Sequence, residues 1–208
     1  MKRLANAKRG MWQSWLWANT IALALNFALL GAMSQLVDLL NAHGATVVGL
    51  AAHAGSTLAG GAFLGFMQQR VLELSPVDKR RWIIASVFVY AVSFIGGELL
   101  GGLFFSLTIA FLLFGVLSGI WQSFTFGNLT RRASRWILIS SLGYTVAGLA
   151  ASALLSTVYK LGESAFLEAP VILSQGLIGA IGGAVAGLLT GFGLESVIGG
   201  KEVGGKNR

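Results

Sequence analysis

The chain has 208 residues, of which 55% are hydrophobic and only 11% are charged, and its mean hydropathy is +0.74. A soluble domain of this length cannot bury so much apolar surface in one core, so the composition excludes an ordinary soluble domain and predicts lipid as the solvent. The absence of cysteine excludes disulfides, thiolate metal sites and thiol catalysis.

Six apolar segments are long enough to cross a bilayer, for which a helix needs about 20 residues. Their hydrophobicity is continuous rather than alternating, which predicts helices and not barrel strands. We therefore expect an all-α integral membrane bundle of six transmembrane helices, with one domain over residues 1–198 and a disordered tail over 199–208. The predicted spans are 15–38, 45–68, 77–97, 102–124, 135–159 and 171–194.

The first span follows a cationic N-terminus that also resembles a secretory signal. We favour a retained helix, because its apolar run is longer than an ordinary signal and Trp15 begins a repeated pattern. Gly44 is expected to end this hairpin's short outer turn, in which His43 lies.

The remaining connections follow from local turn and cap signals. Ser75-Pro76-Val77-Asp78 predicts the capped start of the third span. The glycine-rich stretch 96–102 lies inside an apolar run too long for one span, so it predicts a tight outer turn that exposes Glu98. Gly127-Asn128 indicates the next inner turn, and 162–170 the longest outer connection.

One short pattern occurs three times, and it predicts three repeated hairpins over about 12–68, 76–122 and 130–194. In the first two copies a tryptophan follows the glutamine at the same separation of 14 residues, at Trp82 and Trp136. The copies are Gly61-x3-Gly65-x2-Gln68, Gly115-x3-Gly119-x2-Gln122 and Gly183-x3-Gly187-x2-Thr190.

Glycines four residues apart let two helix backbones approach closely in lipid, so we expect a glycine zipper that packs helices. The alternative is that these glycines line a pore or form a hinge. The expected packing positions are Gly61, Gly65, Gly115, Gly119, Gly179, Gly183, Gly187 and Gly191.

The net charge of +7 reflects topology rather than nucleic-acid binding, because fourteen of the fifteen cations lie in alternate loops and the termini. Only Lys160 lies on the other side, so the positive-inside rule predicts cytoplasmic N- and C-termini. We expect a bacterial cytoplasmic membrane, of the inner or thylakoid type. The expected partners are anionic lipid headgroups, together with other membrane proteins or further copies of this chain, and no nucleic acid.

His53 is the ionisable residue expected near the middle of the membrane, and such a residue raises a functional hypothesis by default. A neutral imidazole there could bind haem or chlorophyll, or relay a proton. The favoured interpretation is a neutral histidine bonded to a hydroxyl of an adjacent helix, with no cofactor and no metal.

The repeated glutamines and tryptophans each have a structural and a functional interpretation. Gln68 and Gln122 could coordinate an ion or a polar solute, or bond to the next module or to headgroups. Thr190 replaces the third glutamine, so a three-fold ring of amides is interrupted. Trp15, Trp82 and Trp136 are expected to be interfacial anchors of an aromatic belt.

The segments Gly115-Val-Leu-Ser-Gly119-Ile-Trp-Gln122 and Trp136-Ile-Leu-Ile-Ser140-Ser-Leu-Gly143-Tyr resemble those of a loose group of small bacterial membrane proteins. These proteins, frequent in cyanobacteria and their neighbours, contain glycine-rich hairpins with this Gln and Trp-x3-Ser signature. The resemblance covers about residues 12–194. It implies architecture and source rather than an activity.

The favoured function is a non-enzymatic scaffold or accessory subunit, because the spans are rich in small packing residues and poor in the charges of ion-coupled transport. The sequence has no P-loop or His-Glu-x2-His motif, and no spacing selects a serine partner for His53. The alternative is a transporter or channel for a small neutral or weakly polar solute. Its path would be lined by Asn19, Asn26, His53 and Gln68, with Gln122 as a further candidate.

Overall fold

The computed structural model describes residues 2–72, 76–125, 131–162 and 171–198, and within these ranges the chain is helical apart from short turns, with no strand. The predicted all-α fold class is confirmed. The helices are α1 (Lys2–Ala42), α2 (Thr46–Val71), α3 (Pro76–Thr125), α4 (Arg131–Gly162) and α5 (Val171–Ile198).

Six segments of the described chain are long and apolar enough to span a membrane, as the hydropathy predicted. The largest difference is in α1, which is helical from Lys2, well before the predicted span. The six segments are Gly10–Ala42, Thr46–Val71, Asp78–Gly97, Ser106–Phe124, Ala133–Val158 and Val171–Leu194.

α3 contains two of these segments and folds back on itself. The rings of Phe94 and Phe111 are 6.3 Å apart, and those of Tyr90 and Phe114 are 6.0 Å apart. A straight helix would separate Phe94 from Phe111 by about 25 Å at 1.5 Å per residue. The axis therefore reverses within 98–105, as the glycine-rich stretch predicted, while the backbone stays helical. We call 78–97 the first limb and 106–124 the second limb of α3.

The other connections agree with prediction where they are described. Gly44 has a φ of +77°, and its N–H donates to the Asn41 carbonyl over 3.0 Å in the turn that joins α1 to α2. His43 is exposed in this turn. α3 begins at Pro76 with Asp78 in its first turn. The predicted cap at Ser75, the Glu98 side chain, the turn at 127–128, the connection 163–170 and the tail 199–208 lie outside the described residues.

Helix contacts close the bundle into a ring. Each helix packs against the next along the chain, and α5 packs against α1. With the two limbs of α3 counted separately, six helical segments surround one interior. The buried core receives side chains from all five helices, namely Ala22, Leu23, Phe27, Leu64, Val89, Tyr90, Phe111, Phe114, Tyr144, Ala147, Ala151, Ile178 and Ala186.

Candidate functional site

Three helix contacts of the ring use the repeated glycines in the same way. Each glycine pair lies against a helix that carries one of the tryptophans Trp15, Trp82 and Trp136. These contacts are too close for any larger side chain, because an added Cβ atom would meet backbone atoms. The nearest approaches of such a Cβ are 2.8 Å from Gly61 to Val87 Cα, 2.7 Å from Gly115 to the Ser140 carbonyl oxygen and 2.5 Å from Gly183 to the Asn19 carbonyl oxygen. Gly65 and Gly119 make similar contacts one turn further along, with Ser86 Cβ and Ile137 Cα at 2.7 and 2.9 Å.

The contact between α5 and α1 is the longest of the three. Gly179 lies against the Leu23 carbonyl, and an added Cβ at Gly187 would lie 2.8 Å from Leu16 Cα. Gly191, one turn further, would place its Cβ 3.3 Å from the Trp12 carbonyl oxygen. The glycine ladder of the last span therefore packs along its length against the first span.

The three repeated tryptophans lie inside the ring. Trp15, Trp82 and Trp136 are each 1% exposed, and the ring of Trp15 is 6.4 Å from Trp82 and 6.2 Å from Trp136 in edge-to-face geometry. The prediction that they anchor the protein in an aromatic belt is wrong. Instead, Trp17 and Trp121 are exposed, by 61% and 46%. We call this end of the bundle the tryptophan end, and the end with the α1–α2 turn the His43 end.

The tryptophans face inward because they share a helix face with other buried residues. Asn19 and Leu23 follow Trp15 at intervals of four, and both are buried. Tyr144 follows Trp136 at twice that interval and is also buried. A belt position and an inward position at a helix end both suit an amphipathic indole, so the residue type alone does not distinguish them.

Two indole nitrogens bond to the glycine-bearing helix of the contact. Trp136 Nε1 donates to Gln122 Oε1 over 3.1 Å, and Trp15 Nε1 donates to Thr190 Oγ1 over 2.8 Å. Gln122 therefore bonds to Trp136 near the start of the following helix, as in one of the alternatives weighed from the sequence. Thr190 interrupts a ring of amides, but it takes the same acceptor role as Gln122.

Gln68 takes part in a buried polar network that joins α1, α2 and α4. Its Nε2 donates to Asn19 Oδ1 and to Tyr144 Oη, both over 3.0 Å, and Tyr144 Oη donates to Asn19 Oδ1 over 2.8 Å. Asn19 Nδ2 in turn donates to the Trp15 carbonyl over 2.9 Å. The Oε1 atom of Gln68 is buried with no hydrogen-bond partner among the described residues. Sequence reasoning did not identify Tyr144 as a member, although its spacing from Trp136 placed it on the buried face.

The other candidate path residues lie apart from this network. Asn26 Nδ2 donates to the Gly60 carbonyl over 2.9 Å. His53 is half-buried, seven residues from the start of α2 and about 22 Å along the axis from Gln68. Its carbonyl accepts bonds from Ser56 and Thr57 of the same helix. Of the proposed path residues, Asn19 and Gln68 are joined directly by a hydrogen bond.

Aromatic rings occupy the interior next to the polar network. Tyr144 packs edge to face against Phe114 at 4.7 Å, and Tyr90 stacks on Phe94 at 4.3 Å. Phe27 and Phe111 continue this cluster, with ring centroids 6.1 Å apart. Among the described residues, no three His, Cys, Asp or Glu side chains lie together as metal ligands would. The described interior is thus a packed aromatic core with one polar network at the tryptophan end.

No protein-family model, curated protein or solved structure matches the chain. The resemblance to glycine-rich bacterial membrane proteins therefore stays a prediction.

Proposed function

We propose that this polytopic membrane protein is a non-enzymatic scaffold or accessory subunit that acts through its outer surface. The observation that carries the proposal is the filled interior. Asn19, Gln68 and Tyr144 bond to one another, and the aromatic cluster packs next to them. Side chains that would line a solute path are used to hold helices together.

The outer surface fits contact with lipid and with other membrane proteins. It carries large apolar side chains over several helices, and glycine contacts keep the ring rigid beneath them. A stoichiometric membrane-protein partner is the favoured occupant, and a second copy of this chain is the alternative. Examples of exposed side chains are Trp17 at 61%, Leu25 at 53%, Phe88 at 63%, Leu138 at 59% and Leu149 at 54%.

We infer that the three hairpins are copies of one module. The support is the recurrence of the glycine contact at three of the helix interfaces and of the indole bond at Trp15 and Trp136. In this interpretation the module's function is to join one hairpin to the next, and the third copy closes the ring.

We further propose that the tryptophan end faces a bacterial cytoplasm. Arg70, Arg80, Arg81 and Arg135 are exposed there, which supports a positive-inside orientation. Because the chain has no cysteine, single cysteines at Arg80, Arg135 and His43 can be labelled with an impermeant thiol reagent in intact cells and in inverted vesicles. We expect Arg80→Cys and Arg135→Cys to react only in inverted vesicles and His43→Cys only in cells. Labelling of the first two from opposite sides overturns the topology.

Partner identification tests the scaffold role. The tagged full-length chain is solubilised gently, crosslinked and analysed by mass spectrometry, with Leu138→Ser as a surface variant. We expect one membrane protein to copurify in a stoichiometric ratio. Surface variants are made on each outer face in turn, and at least one should reduce the amount of this partner while the fold is retained. A chain that purifies alone under crosslinking, and whose outer-face variants have no cellular effect, contradicts the proposal.

A transporter of a small neutral solute is the alternative, and the buried Gln68 Oε1 without a partner favours it. Proteoliposomes are tested for flux of small polyols, with Asn26→Ala as the path variant and exposed Ser14→Ala as its control. Flux that Asn26→Ala abolishes and Ser14→Ala preserves would replace the scaffold proposal. A visible absorbance band lost in His53→Ala would instead establish haem or chlorophyll binding.

A further inference from the structure

A groove of about 360 Å³ lies on the outer wall of the bundle at the tryptophan end. It is formed where the start of α3 passes the end of its own second limb. Its volume falls within the range of small-molecule sites, which begins at about 300 Å³. The residues that line it are Asp78, Arg81, Ile84, Trp121 and Phe124.

The groove changes from charged to apolar along the helix axis. Asp78 and Arg81 lie in the first two turns of α3, and Ile84 lies a further turn, about 5 Å, into the span. The opposite wall is aromatic, with Trp121 exposed by 46% and Phe124 by 60%. A ligand that fits both parts has a polar head and an apolar chain.

The local charge favours an anionic head. Arg81 is exposed, as are its neighbours Lys79 and Arg80, and Asp78 is the described carboxylate beside them. The groove itself carries one charge of each sign, and the adjacent Lys79 and Arg80 make the surface around it net positive. Arg81 is the cation that lines the groove, whereas Arg70 of the same end lies over the Phe66 ring at 4.5 Å.

We propose that this groove binds an anionic phospholipid of the surrounding bilayer. The phosphate oxygens accept hydrogen bonds from the Arg81 guanidinium, and an acyl chain lies along Ile84 between Trp121 and Phe124. Lipid is favoured over a protein partner because both walls are outer faces of spanning segments, where phospholipid is the solvent. The proposal requires only membrane embedding, so it is independent of the scaffold role.

Brominated lipids test this site because they quench tryptophan on contact. The full-length chain is reconstituted in phosphatidylcholine vesicles with equal fractions of either chain-brominated phosphatidylglycerol or chain-brominated phosphatidylcholine. The fluorescence of Trp121 is obtained as the difference between the wild type and Trp121→Phe. Its quenching is measured as the fraction of brominated lipid is increased. An attraction of about 1 kcal/mol per cation at the membrane surface corresponds to about a fivefold preference for the anionic lipid.

In the wild type we expect Trp121 to be quenched preferentially by the anionic lipid. Arg81→Gln should abolish this preference. Arg135→Gln, which removes an exposed cation of α4 outside the groove, should retain it. Because Arg81 is exposed, its replacement should leave the circular dichroism spectrum unchanged. Equal quenching by the two lipids overturns the proposal. A preference that Arg81→Gln leaves intact, or that both variants reduce equally, assigns the effect to general surface charge and also overturns it.

Discussion

The tryptophan end and the His43 end of the bundle have the same lipid solvent but differ in packing. At the tryptophan end, three indoles are 1% exposed and glycines bring backbones together. At the His43 end, an added Cβ at Gly55 would meet nothing within 4 Å, although Gly97 still lies close to the Ser106 carbonyl. Large apolar side chains face outward at both ends, for example Val47 by 79% and Leu138 by 59%. The presence of apolar side chains therefore does not determine where the helices pack tightly. Close contact follows the spacing of small residues against a partner helix.

Removing one of the three buried indoles should have the largest effect on stability. Trp15→Ala should lower the free energy of unfolding by about 3 kcal/mol, because it leaves a cavity among packed rings and removes the bond to Thr190. Trp17→Ala, two residues away and 61% exposed, should change it by less than about 0.5 kcal/mol. Unfolding in SDS titrations from mixed micelles measures both. Equal losses would show that the buried position is unimportant.

Substituting one glycine in each half should give the next largest difference in stability. Gly183→Val should cost about 2 kcal/mol, because the new side chain meets the α1 backbone. Gly55→Val places the same β-branched residue in a helix where nothing lies within 4 Å of the added Cβ. Since helix propensity changes equally in both, their difference in thermal unfolding isolates the contact. A Gly55→Val variant as unstable as Gly183→Val would contradict the packing interpretation.

Two buried tyrosines test whether the hydrogen bonds of the polar network contribute to stability. Tyr144→Phe should cost about 1 kcal/mol, because its hydroxyl bonds to both Asn19 and Gln68. Tyr90 is equally buried, and the Asn26 side chain lies near its hydroxyl, but the two do not form a hydrogen bond of standard geometry. Tyr90→Phe should therefore be neutral or slightly stabilising in the same SDS titration. A larger loss for Tyr90→Phe than for Tyr144→Phe would exclude the network as a source of stability.

His53→Ala should have the smallest effect, because this side chain is only half-buried. We expect the free energy of unfolding to change by less than about 0.5 kcal/mol. Asn26→Ala, which removes a bond to the Gly60 carbonyl, is the control with a measurable loss of about 1 kcal/mol. If His53→Ala destabilises more than Asn26→Ala, the His43 half contains an interaction as important as those of the other half.

The spans were predictable because the length of an apolar run is a local property that the bilayer thickness sets. The reversal within α3 was also predictable, from glycines inside a run too long for one crossing. The inward direction of Trp15 was not, because an indole at a helix end suits both a packed interior and the membrane interface.

The polar network was only partly predictable. Asn19 and Gln68 were candidates because amides are costly in lipid. Their contact with Tyr144 depends on how three helices meet across the ring, which no spacing along one helix determines. Thr190 was equally hard to interpret from the sequence. Its presence in place of a glutamine indicated a broken pattern, yet this shorter side chain, on a closer helix, still reaches the Trp15 indole.

Closure of the ring by α5 against α1 has a consequence for biogenesis. During synthesis α1 is made well before α5, yet the glycine ladder that covers α1 belongs to α5. In the interval the Trp15 indole lacks its Thr190 acceptor, and Gln68 lacks Tyr144 until α4 arrives. Early spans must therefore remain loosely associated in the bilayer or at an insertase, and the final helix locks an assembly that its predecessors leave open.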